Sequence, residues 1–188
     1  MMIMKQLPIT TYGMEILRKK TIPVKDVDMN IIETVGNMFY TMEKADGVGL
    51  AAPQVDIDKA IAVIDVSHYD EYAHIKPFVI INPVIEESHG LWHAEEGCLS
   101  IPGIKLNIPR AEKIYVTYYD LDMNEVNLEA DKLLGRVLQH EIDHLNGKLF
   151  TDLIDEDEKK RIKRDLRDIK KGLIETGYKL LINEEKIR

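Results

Sequence analysis

Cysteine is nearly absent: among 188 residues only Cys98 carries a thiol. With no partner in the chain it cannot close an internal disulfide, so a reducing cytoplasm is the expected compartment and the thiol is available as a ligand or nucleophile. Met1 to Thr10 has one lysine, one proline and no long apolar run, which argues against a signal peptide or a membrane span. There is no internal repeat, no low-complexity stretch and no Gly/Ser/Pro-rich linker, so one domain is expected, followed by a helical tail. An excess of positive charge is missing as well. The formal charge of −8 argues against a whole-surface nucleic-acid binder but leaves room for a local basic patch.

What is present suits a folded chain with a genuine core, at 45% hydrophobic and 31% charged residues. From Asp28, a plausible N-cap, the residues Ile31, Val35, Met38, Phe39 and Met42 recur at helical spacing up to Gly47. The segment Gly47 to Gln54 then reads Gly-Val-Gly-Leu-Ala-Ala-Pro-Gln, small residues that let a backbone approach something closely. It lacks a third glycine in register and a Gly-Lys-Ser/Thr, so a ligand-lining strand or loop fits better than a phosphate loop. Ala60 to Val66 and Pro77 to Ile81 are short β-branched runs, the second punctuated by Asn82-Pro83. Ile114 to Tyr119 alternates, and Asp122-Met123-Asn124 turns it back into Val126 to Leu128. Helical patterns fall at 28–45, 131–146 and 156–182 rather than between every pair of strands. The pattern predicts an α+β fold of antiparallel sheets, residues 1–155 forming the main body and 156–188 a C-terminal helical tail packed on it.

Gln139-His140-Glu141-Ile142-Asp143-His144 carries the strongest chemical signal. In a helix His140 and His144 lie about 40° apart with Glu141 beside them. Two imidazoles and a carboxylate then share one small volume, as a divalent metal and a neighbouring base require. Leu133, Leu134, Val137, Leu138, Ile142 and Leu145 surround most of this helix and bury it, and buried histidines need partners. Gly135 costs roughly 1 kcal/mol against alanine and marks close packing with a neighbour. Asp143 also needs a partner. Arg110 is the candidate, paired with Asp143 or with Glu96.

A catalytic metal site takes three protein ligands and keeps one position open. No histidine follows His144, and the later acidic residues fall in a charge-dense, solvated tail. Cys98, in Glu96-Gly97-Cys98-Leu99-Ser100, is the better third ligand. The tail itself is basic. Lys159, Lys160, Arg161, Lys163, Arg164, Arg167, Lys170 and Lys171 outweigh Asp165 and Asp168, while Ile162, Leu166, Ile169, Leu173 and Ile174 form a narrow apolar stripe. It reads either as a solvated amphipathic helix or as a docking element for RNA or an acidic partner.

Three blocks in order, Gly47 to Gln54, Glu96 to Ser100 and Gln139 to His144, resemble the motifs of the peptide deformylases, and together they are far more specific than any one of them. The resemblance implies that Cys98, His140 and His144 bind one divalent metal ion per chain. Ferrous iron would come first, with zinc, nickel or cobalt as alternatives. Glu141 would be the general acid/base, and the Gln54 amide and the Leu99 N–H would stabilise an oxyanion. Gly49 and Gly97 would present backbone groups to the substrate. Val48, Leu133 and Val137 are candidates for lining a methionine slot, ordinary core packing being the competing reading. The implied substrates are formyl-Met nascent peptides, from which formate is released. The implied setting is a cytoplasm of bacterial type, organellar origin remaining open, with ribosome contact through the basic tail; a monomer is the default, since the sequence leaves the oligomeric state open. Gly135 stands where the family usually has alanine, and Thr11 to Leu17 match only loosely. Two other readings stay open: a His-Glu-x-x-His zinc metallopeptidase with a downstream third ligand, and a non-catalytic metal-binding protein associated with the ribosome.

Overall fold

The computed structural model describes residues 4–182. A two-residue strand, β1 (Ile9–Thr10), precedes helix α1 (Met29–Lys44). The Asp28 carboxylate accepts the Ile31 N–H at 2.9 Å, satisfying one of the free donors at the helix start. Strands β2 (Gly49–Ala51), β3 (Ile61–Ile64) and β4 (Phe78–His89) follow, then the hairpin of β5 (Trp92–Cys98) and β6 (Ile101–Arg110). Next come β7 (Lys113–Tyr119), β8 (Glu125–Asp131), helix α2 (Lys132–Leu145), helix α3 (Glu156–Lys170) and the short strand β9 (Leu180–Leu181).

Five strands in the order β2-β3-β4-β7-β8 form an antiparallel sheet. Its period-two alternation separates two cores. Ile61 and Val63 pack with Val35, Met38 and Met42 of α1, whereas Ala62 and Ile64 pack with Leu134, Leu138 and Ile142 of α2. A third core joins the hairpin to α3, where Ile104, Leu106 and Ile108 meet Phe150, Ile162 and Ile169. The expected α+β fold, with antiparallel sheets around a buried helix, is what the chain adopts. Among the described residues a single parallel pairing, β1 with β9, is added to it.

Three local expectations change. The strand read as ending at Asn82-Pro83 runs on to His89, because Asn82 adopts φ +50° and the register with β7 shifts between Ile81 and Val84. A bulge lets the proline lie within the strand. The helical pattern over 156–182 stops at Lys170: Gly172 turns the chain at φ +68°, and Leu173 is 68% exposed rather than part of the stripe. The chain then returns as β9, and positions 183–188 of the tail lie outside the described residues. The third is the β5–β6 hairpin, where Ala94-Glu95-Glu96-Gly97 gives little strand signal. Gly135 does mark a close approach, since a Cβ there would sit 3.0 Å from the Ala130 carbonyl oxygen.

Candidate active site

Three separate segments meet at α2. β2 and the turn after it bring Gly49 and Gln54, the end of β5 brings Cys98, and α2 brings the histidines. The Cys98 Sγ lies 3.2 Å from His144 Nε2, which is 3.1 Å from His140 Nε2. These three donor atoms fall within 4.8 Å of one another, and among the described residues they are the one group of at least three His, Cys, Asp or Glu side chains so placed. Their chemistry, a thiol and two imidazole nitrogens, suits a soft-to-borderline divalent ion.

Behind the donors stands Glu96, which sequence reasoning named only as a partner for Arg110. Its Oε1 is 2.6 Å from His140 Nδ1 and receives the Arg110 Nη2 at 2.7 Å. Its Oε2 receives Arg110 Nε at 2.7 Å and Arg136 Nη1 at 2.9 Å. Burial works against the charge, yet the hydrogen bonds from Arg110 and His140 hold this carboxyl well below the usual carboxylate range. Glu96 therefore fixes a proton on Nδ1 and leaves Nε2 of His140 to face the other donors. Arg110 also reaches Asp143 at 2.8 Å, so the two pairings foreseen for it occur together. Burial and the neighbouring His140 push His144 well below the ordinary imidazole value, which favours its neutral form.

Glu141 is buried, and its Oε2 has no hydrogen-bond partner among the described residues. Burial pushes its carboxyl up to about 7. Gly49 makes room for it, as a Cβ at that position would lie 2.8 Å from Glu141 Cδ. Gln54, a residue type usually at the surface, is 1% exposed. Its Oε1 accepts the Ala51 N–H at 2.8 Å while Nε2 points toward Cys98 Sγ at 3.5 Å and Ser100 Oγ at 3.4 Å. The Leu99 N–H has no acceptor among the described residues. A cavity of about 240 Å³ adjoins these groups, and Val48, Gly49, Gly97, Leu99, Leu133 and Val137 all contribute to its wall.

Sequence reasoning missed Arg136, Tyr69 and Tyr178. Arg136 and Tyr69 also line the cavity, and Arg136 lies one helical turn before His140, a spacing that signals a shared face. Nothing in the pattern of residues 172–182 points to Tyr178, whose hydroxyl donates to the Leu99 carbonyl at 2.8 Å. Burial, and then the nearby Cys98, raise that phenol to about 12, so it stays protonated at neutral pH.

Residues 6–160 match the family model for polypeptide deformylase. The chain belongs to the peptide deformylase family. A peptide deformylase of Chlorobium limicola is 41% identical over 175 residues, which cover 93% of this chain and 95% of the relative. That of Chlorobaculum tepidum is 44% identical over 174 residues, 93% of each chain. Among solved structures, the Legionella pneumophila peptide deformylase superposes with a TM-score of 0.82 at 38% identity, covering 90% of this chain and 98% of that one. The Synechococcus elongatus peptide deformylase in complex with actinonin gives 0.77 at 40% identity, covering 93% and 92%. Among the described residues no helix is long and apolar enough to cross a membrane.

Proposed function

We infer that this deformylase hydrolyses the formyl group from the N-terminus of formylmethionyl nascent polypeptides and releases formate. The observation that carries the reading is the cluster of Cys98, His140 and His144, with Gln54 against Cys98 and with His140 and Glu141 lining the adjoining cavity. The donor set fits a divalent metal. Both Nε2 atoms face Sγ, Glu96 holds the far side of His140, and His144 is favoured neutral. Cys98, His140 and His144 would hold the ion, with ferrous iron as our first assignment and zinc, nickel or cobalt as alternatives. When bound, it supplies Lewis-acid activation of water and of the formyl carbonyl.

The protein's own groups then divide the work. Glu141 takes the proton as water attacks the formyl carbon, and returns one to the departing amine. The Gln54 amide and the Leu99 N–H donate to the developing oxyanion. Val48, Leu133 and Val137 accommodate the methionine side chain, and Gly49 and Gly97 present backbone to the peptide. Neither alternative is favoured: the metallopeptidase reading needs a third ligand after His144, and a purely structural site has no use for an unpaired buried carboxylate beside the donors. We further assign the protein to the cytoplasm, as a monomer. Ribosome contact through α3 is supported by a cleft lined by Arg18, Lys159, Lys160, Lys163, Arg164 and Arg167.

Anaerobically purified protein is the material for the decisive assay, with a formyl-Met peptide as substrate. Glu141→Ala should retain the metal and lose hydrolysis. Full turnover by that variant, or none by the parent protein loaded with metal, would overturn the assignment.

A further inference from the structure

β5 ends on Cys98, and the two-residue turn Leu99-Ser100 that follows supplies the Leu99 N–H. Register is broken there: Cys98 pairs with Ile101, whereas Gly97 pairs with Lys105. Two further restraints arrive from segments remote in sequence. The Tyr12 N–H donates to the Ser100 carbonyl at 2.9 Å, and the Tyr178 hydroxyl to the Leu99 carbonyl at 2.8 Å. Those segments are fastened to each other. Ile9 N–H donates to the Lys179 carbonyl at 2.8 Å, Thr11 N–H to the Leu181 carbonyl at 3.2 Å, and Ile9 and Thr10 lie opposite Leu180 and Leu181.

We propose that Tyr178 is a positioning residue for hydrolysis, and that residues 175–182 are a working part of the active site. The two peptide planes flanking Leu99 share its Cα. Holding the Leu99 carbonyl fixes one of these planes, which narrows the φ and ψ range open to Leu99 and with it the directions its N–H can take. The phenol therefore acts on the reaction through the Leu99 backbone, without touching substrate. The link to turnover rests on the proposed role of the Leu99 N–H; the tether itself does not.

Tyr178→Phe removes one hydroxyl and leaves the ring packed. A single such hydrogen bond contributes about 1 kcal/mol, so kcat should fall about 3- to 10-fold with KM unchanged, while the melting temperature drops by only about 2 to 4 °C and the protein stays folded at the assay temperature. In the metal-free protein, amide hydrogen exchange at Leu99 and Ser100 should be faster in the variant than in the parent. A chain ending at Ile174, which loses the ring as well, should shift both readouts further in the same direction. Parental kcat together with parental exchange in Tyr178→Phe overturns the proposal, as does a fall in kcat that only tracks a lowered melting temperature. A parent protein that fails to deformylate strikes the hydrolase reading instead, and the exchange comparison still decides whether Tyr178 holds the turn.

Discussion

Glu96 is the residue on which most of the buried charge depends, facing Arg110, Arg136 and His140 at once. Removing one member of such a network leaves charge without a partner. Arg110→Met should destabilise the protein by about 3 kcal/mol, the low end for a broken buried pair because Glu96 keeps Arg136 and Asp143 is part-exposed. Urea denaturation measures the loss, and metal content after dialysis should fall with it. Gln54→Ala should lower kcat/KM by about 100- to 1000-fold if the amide donates to the oxyanion; a change under tenfold would remove Gln54 from the mechanism. Gly49→Ala would force the Glu141 side chain to shift, and should depress turnover far more than stability. At this scale the clustering of Cys98, His140 and His144 was legible, because helical spacing puts two imidazoles on one face and the chain has no second cysteine. Arg136 was not, since one cation in an apolar run looks like an exposed position.

Elements were legible where periodicity was strong. The α1, α2 and β7 patterns translate directly into burial, because each has one apolar face and a single layer to meet. The β5–β6 hairpin escaped notice since its face toward α2 is built from charge, Glu96 against Arg136, rather than from branched apolar residues. Within the apolar stripe of the tail Leu173 drops out, whereas Ile169 and, past the end of α3, Ile174 pack on the third core. Ile169→Ala, on a fully buried side chain, should cost about 2 to 5 kcal/mol, whereas Leu173→Ala should stay within about 0.5 kcal/mol. Paired urea titrations of the two variants check both the end of the helix and its docking. Equal effects would mean that Leu173 joins the stripe in solution.

The whole molecule separates its charges: it is acidic overall, yet α3 and Arg18 line a basic cleft. Several of these cations are already engaged along the helix, as in Lys159 with Glu156 at 2.9 Å and Lys160 with Asp157 at 3.0 Å. If α3 docks on the ribosome as proposed, binding should be modest and steeply salt-dependent, and exchange of Lys163 and Arg167 for glutamate should abolish it without changing turnover on short formyl-Met peptides. Metal removal acts on the same scale. An ion that binds the folded chain alone adds about 4 kcal/mol at a thousandfold excess over its Kd, so chelation should lower the melting temperature, and Cys98→Ala should erase that response.

The pairing of β1 with β9 also has a kinetic side. Thr11 and Leu181, which share a hydrogen bond, are 170 residues apart in the chain. Contacts that close so long a loop come late, after the local hairpins and helices are in place. On the ribosome, the sheet around α2 can assemble while the final residues are still in the exit tunnel, and Tyr178 reaches Leu99 only afterwards. In a refolding experiment, sheet and helix signals should therefore recover first, with protection of the Leu99 amide following as a separate, slower phase.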